Sequence, residues 1–285
     1  MHANYESITG RIAGWGKSCD MLYAAIVVGS QARDFHPADR YSDIDLILVV
    51  DDPHYFCESD EWLNSIGNFH ISFTEDTVGG GRERRVLFDG ALDADFILAP
   101  KTLIDNNKFF EADGVPAIFA NGYLPLVDKI NLEEKLGSLA FEKPPYLLLS
   151  EKEFINTVNN FWYHCVWAVK KLMRGELWIA IYCLDSYMKR ILLNMIEYHA
   201  HALHGQEYCT WLMGRLVEEW AEKWIVEKLP GCFAHYEEGD IGRALASTMD
   251  LFRLVAMETA EKFSFKYPKE TDEYAVTQVN RLQYN

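Results

Sequence analysis

Two short motifs near the N-terminus carry residue types that could bind a nucleoside triphosphate and its metal ion. Gly29 and Ser30 follow one apolar run, and Asp43 and Asp45 lie at the start of another. Residues two apart in a strand project from the same face, so the two carboxylates can bind one divalent ion or bridge two. Magnesium suits them, because this hard cation takes a few carboxylates and completes its shell with phosphate oxygens and water.

The turn between these motifs has the features of a phosphate-binding segment. Gly29 lets the backbone approach a phosphate closely, while the Ser30 hydroxyl and the Arg33 guanidinium can meet its oxygens. An Asp-x-Asp pair is also common at exposed strand ends that bind nothing. The combination with Gly-Ser and Arg33 favours a magnesium-nucleotide site, built without a Walker loop.

A third carboxylate is available in the segment LDADFILAP, residues 92–100. Asp93 and Asp95 lie on the same face of this predicted strand, and the residues alone leave open which of them joins the site. A glycine-rich basic segment, TVGGGRERR (residues 77–85), precedes it. This segment is either a lid that contacts phosphates or a plain hairpin turn, and its composition favours the turn.

Composition limits the class of protein. The chain has 285 residues, of which 49% are hydrophobic and 14% aromatic, enough for two domains with substantial cores. No apolar run approaches the roughly 18 residues that span a bilayer, so we expect a cytoplasmic protein that does not enter the membrane. The six cysteines show no C-x-x-C spacing and indicate reduced, buried thiols. A zinc site formed by His199, His201, His204 and Cys209 is the weaker alternative.

The charge balance bears on the acceptor. A formal net charge of −16 repels nucleic-acid phosphates and attracts cations, so we expect a cationic small molecule and no nucleic acid as partner. Many proteins are acidic only to stay soluble, which makes this a weak argument. The sequence does not determine the oligomeric state.

Periodicity predicts an α+β protein in two domains. Strands and short helices alternate through residues 1–142, including a last strand near residues 115–119. A linker follows at Lys143, Pro144 and Pro145, and residues 146–285 have helical periodicity. We expect this half to form a helical bundle whose helices include residues 151–173, 208–228 and 240–266, the last of them ended by Tyr267 and Pro268.

The motifs G-S-x-A-R and S-D-I-D-L resemble those of the polymerase-β-like nucleotidyltransferase superfamily. The helical half narrows the resemblance to the aminoglycoside 6-adenylyltransferases, enzymes that transfer AMP from ATP to streptomycin and thereby confer antibiotic resistance. The similar segments span most of the chain: GSQA, SDIDL, DEWLNSIGN, LFDGALDADFILAP, NNFWYHCVWAVKKL and LFRLVAMETAEKFSFKYP.

The resemblance implies specific roles. It implies an N-terminal mixed-sheet nucleotidyltransferase domain joined to the helical bundle, with ATP and two magnesium ions bound in a cleft between them. It favours Asp95 over Asp93 as the third metal ligand and proton acceptor. Lys170 matches a family lysine and would contact the triphosphate. Glu258 and Glu261 match family positions and are candidates for binding the acceptor.

The sequence also departs from the family pattern. Asn160 stands where the family's N-E-F-W segment has glutamate, and Gln206 stands where a lysine is expected. Three alternatives therefore remain: transfer to a different hydroxyl, such as that of a lincosamide or a nucleotide; transfer to a Tyr, Ser or Thr of a partner protein; and a nucleotide-binding module that no longer turns over.

Overall fold

A computed structural model describes residues 3–33, 35–77, 80–141 and 149–284. The chain forms two compact units, Met1–Pro145 and Tyr146–Asn285. The predicted linker at Lys143, Pro144 and Pro145 lies outside the described residues. The predicted domain limits at residues 142 and 146 therefore stay a prediction.

The first unit contains one six-stranded mixed sheet with the spatial order β3-β4-β5-β2-β1-β6. Only the central pair β2 and β5 is parallel, and the other neighbouring strands are antiparallel. The strands are β1 Leu22–Val28, β2 Ile44–Val50, β3 Phe69–Asp76, β4 Arg82–Phe88, β5 Leu92–Pro100 and β6 Leu124–Asp128.

Three helices cover one face of this sheet. Buried side chains such as Ile8, Ile12 and Trp62 pack against alternate residues of the central strands, including Leu46 and Phe96. The period-2 alternation of these strands places their apolar side chains on this face. The helices are α1 Ala3–Ser18, α2 Pro53–Glu58 and α3 Glu61–Ile66.

Four short helices pack on the opposite face, where Ile26, Ile47 and Ile97 are buried against them. The last strand predicted near residues 115–119 was wrong, because Val115–Ala120 is a helix. Gly114 precedes it at φ +81° and Pro116 lies in its first turn, where proline is tolerated. These helices are α4 Lys101–Asp105, α5 Lys108–Glu111, α6 Val115–Ala120 and α7 Leu132–Ser138.

The glycine-rich segment of residues 77–85 connects β3 and β4 as a hairpin, as its composition favoured. The Thr77 N–H donates to the Gly81 carbonyl oxygen at 3.0 Å, and the register runs from Asp76 opposite Arg82 to Phe69 opposite Phe88. Val78 and Gly79 lie outside the described residues.

The second unit is helical, which confirms the α+β class predicted from the sequence. Its first helix begins at a capping box, in which Ser150 Oγ accepts from the Glu153 N–H and the Glu153 carboxylate accepts from the Ser150 N–H. The longer helices are α8 Glu151–Met173, α10 Lys189–His204, α13 Glu238–Phe263 and α14 Lys269–Tyr284, and the shorter ones are α9 Leu177–Tyr182, α11 Val217–Trp220 and α12 Lys223–Lys228.

Two predictions for this unit were wrong. Residues 208–228 do not form one helix, because Trp211, Met213 and Leu216 all have positive φ and break the segment into short pieces. The chain also continues beyond Tyr267 and Pro268 into α14, because the Pro268 carbonyl oxygen accepts from the N–H groups of Thr271 and Asp272 and so begins another helix. Among the described residues, no helix combines the length and hydrophobicity needed to cross a bilayer.

Candidate active site

The parallel pairing of β2 with β5 brings three predicted carboxylates together. Asp45 lies directly opposite Asp95 in this register, and Asp43 precedes β2 on the same side. One oxygen from each of Asp43, Asp45 and Asp95 lies within 4.8 Å of the other two. Asp93 is not part of this group, although it lies on the same face of β5 as Asp95.

Gly29 is required at its position by two independent constraints. Its φ of +68° lies in the left-handed region that favours glycine, at the start of a 3-10 turn, Gly29–Gln31. A Cβ atom added at Gly29 would lie 2.1 Å from Asp45 Oδ2. The absence of a side chain therefore lets the turn after β1 contact the carboxylate directly.

The next two residues in this turn, Ser30 and Gln31, carry buried polar groups. The Ser30 hydroxyl oxygen is buried and has no hydrogen-bond partner among the described residues. Gln31 is buried and its Nε2 donates to the Asp43 carbonyl oxygen at 3.2 Å, which ties the turn to the start of β2. A buried hydroxyl without a partner is costly, so Ser30 is suited to donate to a ligand oxygen.

Asp95 is the most buried of the three carboxylates, and its side chain is 12% exposed. Burial raises its pKa to about 6, Arg85 opposes this rise, and the neighbouring charges of Glu83, Asp43 and Asp93 add to it. The carboxyl group is therefore more basic than an ordinary aspartate.

Arg85 is a site residue whose position sequence reasoning did not identify. It lies opposite Asp95 in the antiparallel pairing of β4 with β5, and its Nη2 is 3.5 Å from Asp95 Oδ2. Its Nε also contacts Glu75 at 2.6 Å and Glu83 at 2.7 Å. The sequence placed Arg85 in a lid or a turn, but only the pairing of β4 with β5 reveals its contact with Asp95.

The remaining predicted residues are located as follows. Arg33 donates from Nε to the His36 carbonyl oxygen at 3.0 Å and lies 5.7 Å from the Phe35 ring centroid. Lys170 belongs to the helical unit, where it is exposed and lines a cavity of about 440 Å³ together with Trp167. The structure does not assign either side chain to a phosphate.

The histidine-rich segment does not form a metal centre in the described part of the chain. His199 Nε2 contacts Glu258 Oε2 at 2.8 Å, and His204 Nε2 contacts Glu222 Oε1 at 2.9 Å. The metal-compatible group found among the described residues is instead that of Asp43, Asp45 and Asp95.

The donor set of these three aspartates fits a hard divalent cation. Trans oxygen ligands of magnesium are about 4.2 Å apart, twice the usual metal–oxygen distance, so oxygens within 4.8 Å need only a small adjustment. Arg85, the cation that contacts Asp95, also contacts the carboxylates of Glu75 and Glu83. Three carboxylates gathered this closely repel one another, and a bound cation would offset that repulsion.

Comparison with known proteins identifies the family of this chain. The family model described as streptomycin adenylyltransferase matches residues 3–282. An aminoglycoside 6-adenylyltransferase of Campylobacter jejuni is 23% identical over 90% of this chain and 88% of its own length, and one of Bacillus subtilis (strain 168) is 22% identical over 84% of both chains.

A crystal structure of an aminoglycoside 6-adenyltransferase from Bacillus subtilis aligns over 98% of this chain and 97% of its own, with 19% identity and a TM-score of 0.48. The family match extends over nearly the whole chain and includes both compact units. The chain therefore belongs to the streptomycin adenylyltransferase family and is a nucleotidyltransferase.

Proposed function

We propose that this enzyme transfers AMP from Mg-ATP to a hydroxyl group of a streptomycin-like aminoglycoside. The observation that carries the proposal is the convergence of Asp43, Asp45 and Asp95 at the neighbouring ends of β2 and β5. The family match and the names of the relatives support the type of transfer and the class of acceptor. The net charge of −16 is favourable for a polycationic acceptor.

The residues of the turn bind the triphosphate in this proposal. Ser30 Oγ donates to a phosphate oxygen, and Gly29 leaves space for the nucleotide to approach the carboxylates. Arg33 contacts the pyrophosphate as it leaves. Asp43, Asp45 and Asp95 hold two magnesium ions, which when bound neutralise phosphate charge and make a hydroxyl group more acidic.

Asp95 accepts the proton in the transfer step. The acceptor hydroxyl oxygen forms a bond to the α-phosphorus, its proton moves to the Asp95 carboxylate, and the bond to pyrophosphate breaks. Burial raises the pKa of Asp95 to about 6 in the absence of a cation, and a bound dication would lower that pKa, so the carboxylate would be ionised and able to accept the proton. Arg85 keeps the carboxylate in place between β4 and β5.

The proposal is tested by product analysis with the purified enzyme. The enzyme is incubated with ATP, magnesium and a panel of aminoglycosides, and in a second experiment with protein lysate as the acceptor. Pyrophosphate release and the masses of the products are measured in both. We expect one AMP adduct on streptomycin and none with Asp45→Asn. If streptomycin carries no adduct at high enzyme concentration, the aminoglycoside assignment is wrong, and an adduct on a lysate protein would indicate protein modification instead.

A further inference from the structure

The helical unit contains a second cavity that the proposed chemistry does not use. Its volume is about 630 Å³, within the range of about 300–1,000 Å³ typical of small-molecule sites. A segment of π-helix, Cys183–Met188, joins α9 to α10 and forms part of its wall. The side chains that bear on its chemistry are Tyr182, Ser186, Tyr187, Arg190, Glu197 and Met213.

Glu197 is the distinctive group in this cavity. Its carboxylate accepts no hydrogen bond and forms no ion pair with the described residues, although it is partly buried. Burial alone raises its pKa to about 7. A carboxylate removed from water without a partner is unfavourable, and a bound cation would offset that cost.

The positive groups of the cavity do not neutralise Glu197. The Lys189 ammonium is bonded to Asp185 Oδ1 at 3.2 Å and to Thr248 Oγ1 at 3.1 Å, so its charge is already compensated. The exposed Arg190 guanidinium lies 5.3 Å from the Tyr187 ring centroid and makes no ion pair with Glu197. The carboxylate is left as the available anion of the cavity.

The aromatic side chains add a surface suited to an organic cation. The Tyr187 hydroxyl exchanges hydrogen bonds with the Asn160 side chain at 3.2 Å, which fixes the ring on the wall. Tyr182 is 63% exposed and has its ring at the same cavity. π-Helical segments occur frequently at functional sites, and this one supplies Tyr187 directly.

We infer that this cavity binds a guanidinium or ammonium group of the acceptor, with Glu197 as the paired carboxylate. The identity of the acceptor rests on the proposed function, whereas the cation site rests on the cavity itself. The two glutamates suggested by the sequence are less suited to this role. Glu258 is already paired with His199, and Glu261 is exposed and does not line this cavity.

The inference is tested by titrating streptomycin into the enzyme without ATP in a calorimeter. Glu197→Gln removes the charge but keeps the shape, and we expect it to weaken binding by about 10- to 100-fold, the range for a lost charged hydrogen bond. Glu197→Asp should retain part of the affinity. The matched control Glu219→Gln removes an exposed carboxylate outside the cavity and should change affinity less than about twofold.

Each outcome has a definite meaning once thermal unfolding shows that the variants are folded. If Glu197→Gln binds streptomycin as well as Glu219→Gln does, the inference is overturned. It is also overturned if the wild-type enzyme binds no aminoglycoside of the panel, or if Glu197→Gln changes only the affinity for Mg-ATP. If streptomycin binding depends on Glu197 but no AMP is transferred, the cation site is supported and the proposed function is contradicted. If AMP is transferred and Glu197→Gln leaves that transfer unchanged, the proposed function is supported and the cation site is contradicted.

Discussion

The two compact units each contain a carboxyl group whose pKa is raised by burial, but the surroundings of these groups differ. Asp95, with a pKa of about 6, lies beside Asp43 and Asp45 and contacts Arg85. Glu197, with a pKa of about 7, has no ion pair among the described residues. Burial therefore raises the pKa of Asp95 within a cluster of charged groups, and it raises the pKa of Glu197 where no charged partner contacts the carboxylate.

This difference indicates what each site can bind. Clustered carboxylates repel one another, and a multivalent cation offsets that repulsion most effectively. An isolated carboxylate beside aromatic rings is matched by a single organic cation. Both sites carry electrostatic costs in the free protein, so a bound ligand should stabilise each of them.

The largest effect should come from removing a carboxylate of the cluster. Asp45→Asn should lower kcat by about 10³-fold or more, because in the proposed function this carboxylate binds a metal ion. Folding should be retained, since the substitution relieves repulsion with Asp43 and Asp95. Turnover is measured by pyrophosphate release, with the exposed Asp51→Asn at the opposite end of β2 as control. A near-normal kcat for Asp45→Asn would remove this residue from the site.

The roles of Asp95 and Asp93 can be separated by kinetics at saturating magnesium. Asp95→Asn should depress kcat by about 10²-fold or more while changing ATP affinity little, because proton acceptance matters mainly in the transition state. Asp93→Asn should chiefly raise the KM for the acceptor. A collapse of kcat in Asp93→Asn, with Asp95→Asn almost normal, would reverse the two assignments.

Gly29→Ala tests the contact between the turn and the cluster. The added methyl would meet Asp45 Oδ2 at 2.1 Å, whereas Gly90→Ala has a similar positive φ and open space around it. We expect Gly90→Ala to cost about 1 kcal/mol of unfolding free energy from backbone strain alone. Gly29→Ala should cost more than that and also reduce kcat. Urea unfolding of both variants measures the difference, and equal losses would show that the turn adapts without disturbing Asp45.

The smallest effect concerns the stability contribution of Glu197. Its folded pKa lies above the ordinary value of 4.5, so ionisation destabilises the fold increasingly as pH rises from about 4.5 to about 7. Glu197→Gln should therefore stabilise the protein by about 1 kcal/mol at pH 8, allowing for solvent screening, and by nothing near pH 4.5.

Urea unfolding of Glu197→Gln at both pH values measures this difference, with Glu219→Gln as the control for charge removal. An equal gain at the two pH values would mean that Glu197 is not desolvated in the folded protein. Such a result would also mean that burial raises the pKa of Asp95 but not that of Glu197.

The sequence alone determined much of the candidate site. The period of two in a strand places Asp43 and Asp45 on one side, and the Gly-Ser turn before them has few alternative uses. Helical periodicity predicted α8 with the bounds that the structure shows. These features are local, because the residues that produce each of them lie close together in the sequence.

Tertiary structure decided the features that join distant segments. The register of β2 and β5 selects Asp95 over Asp93, and the register of β4 and β5 brings Arg85 to the same carboxylate. The π-helical segment, and a Glu197 carboxylate that has no ion pair among the described residues, also have no local signal, because both depend on how α8, α10 and their neighbours pack. Strand register and burial are set by contacts between residues far apart in the chain. The sequence of one segment does not show which other segment will pack against it.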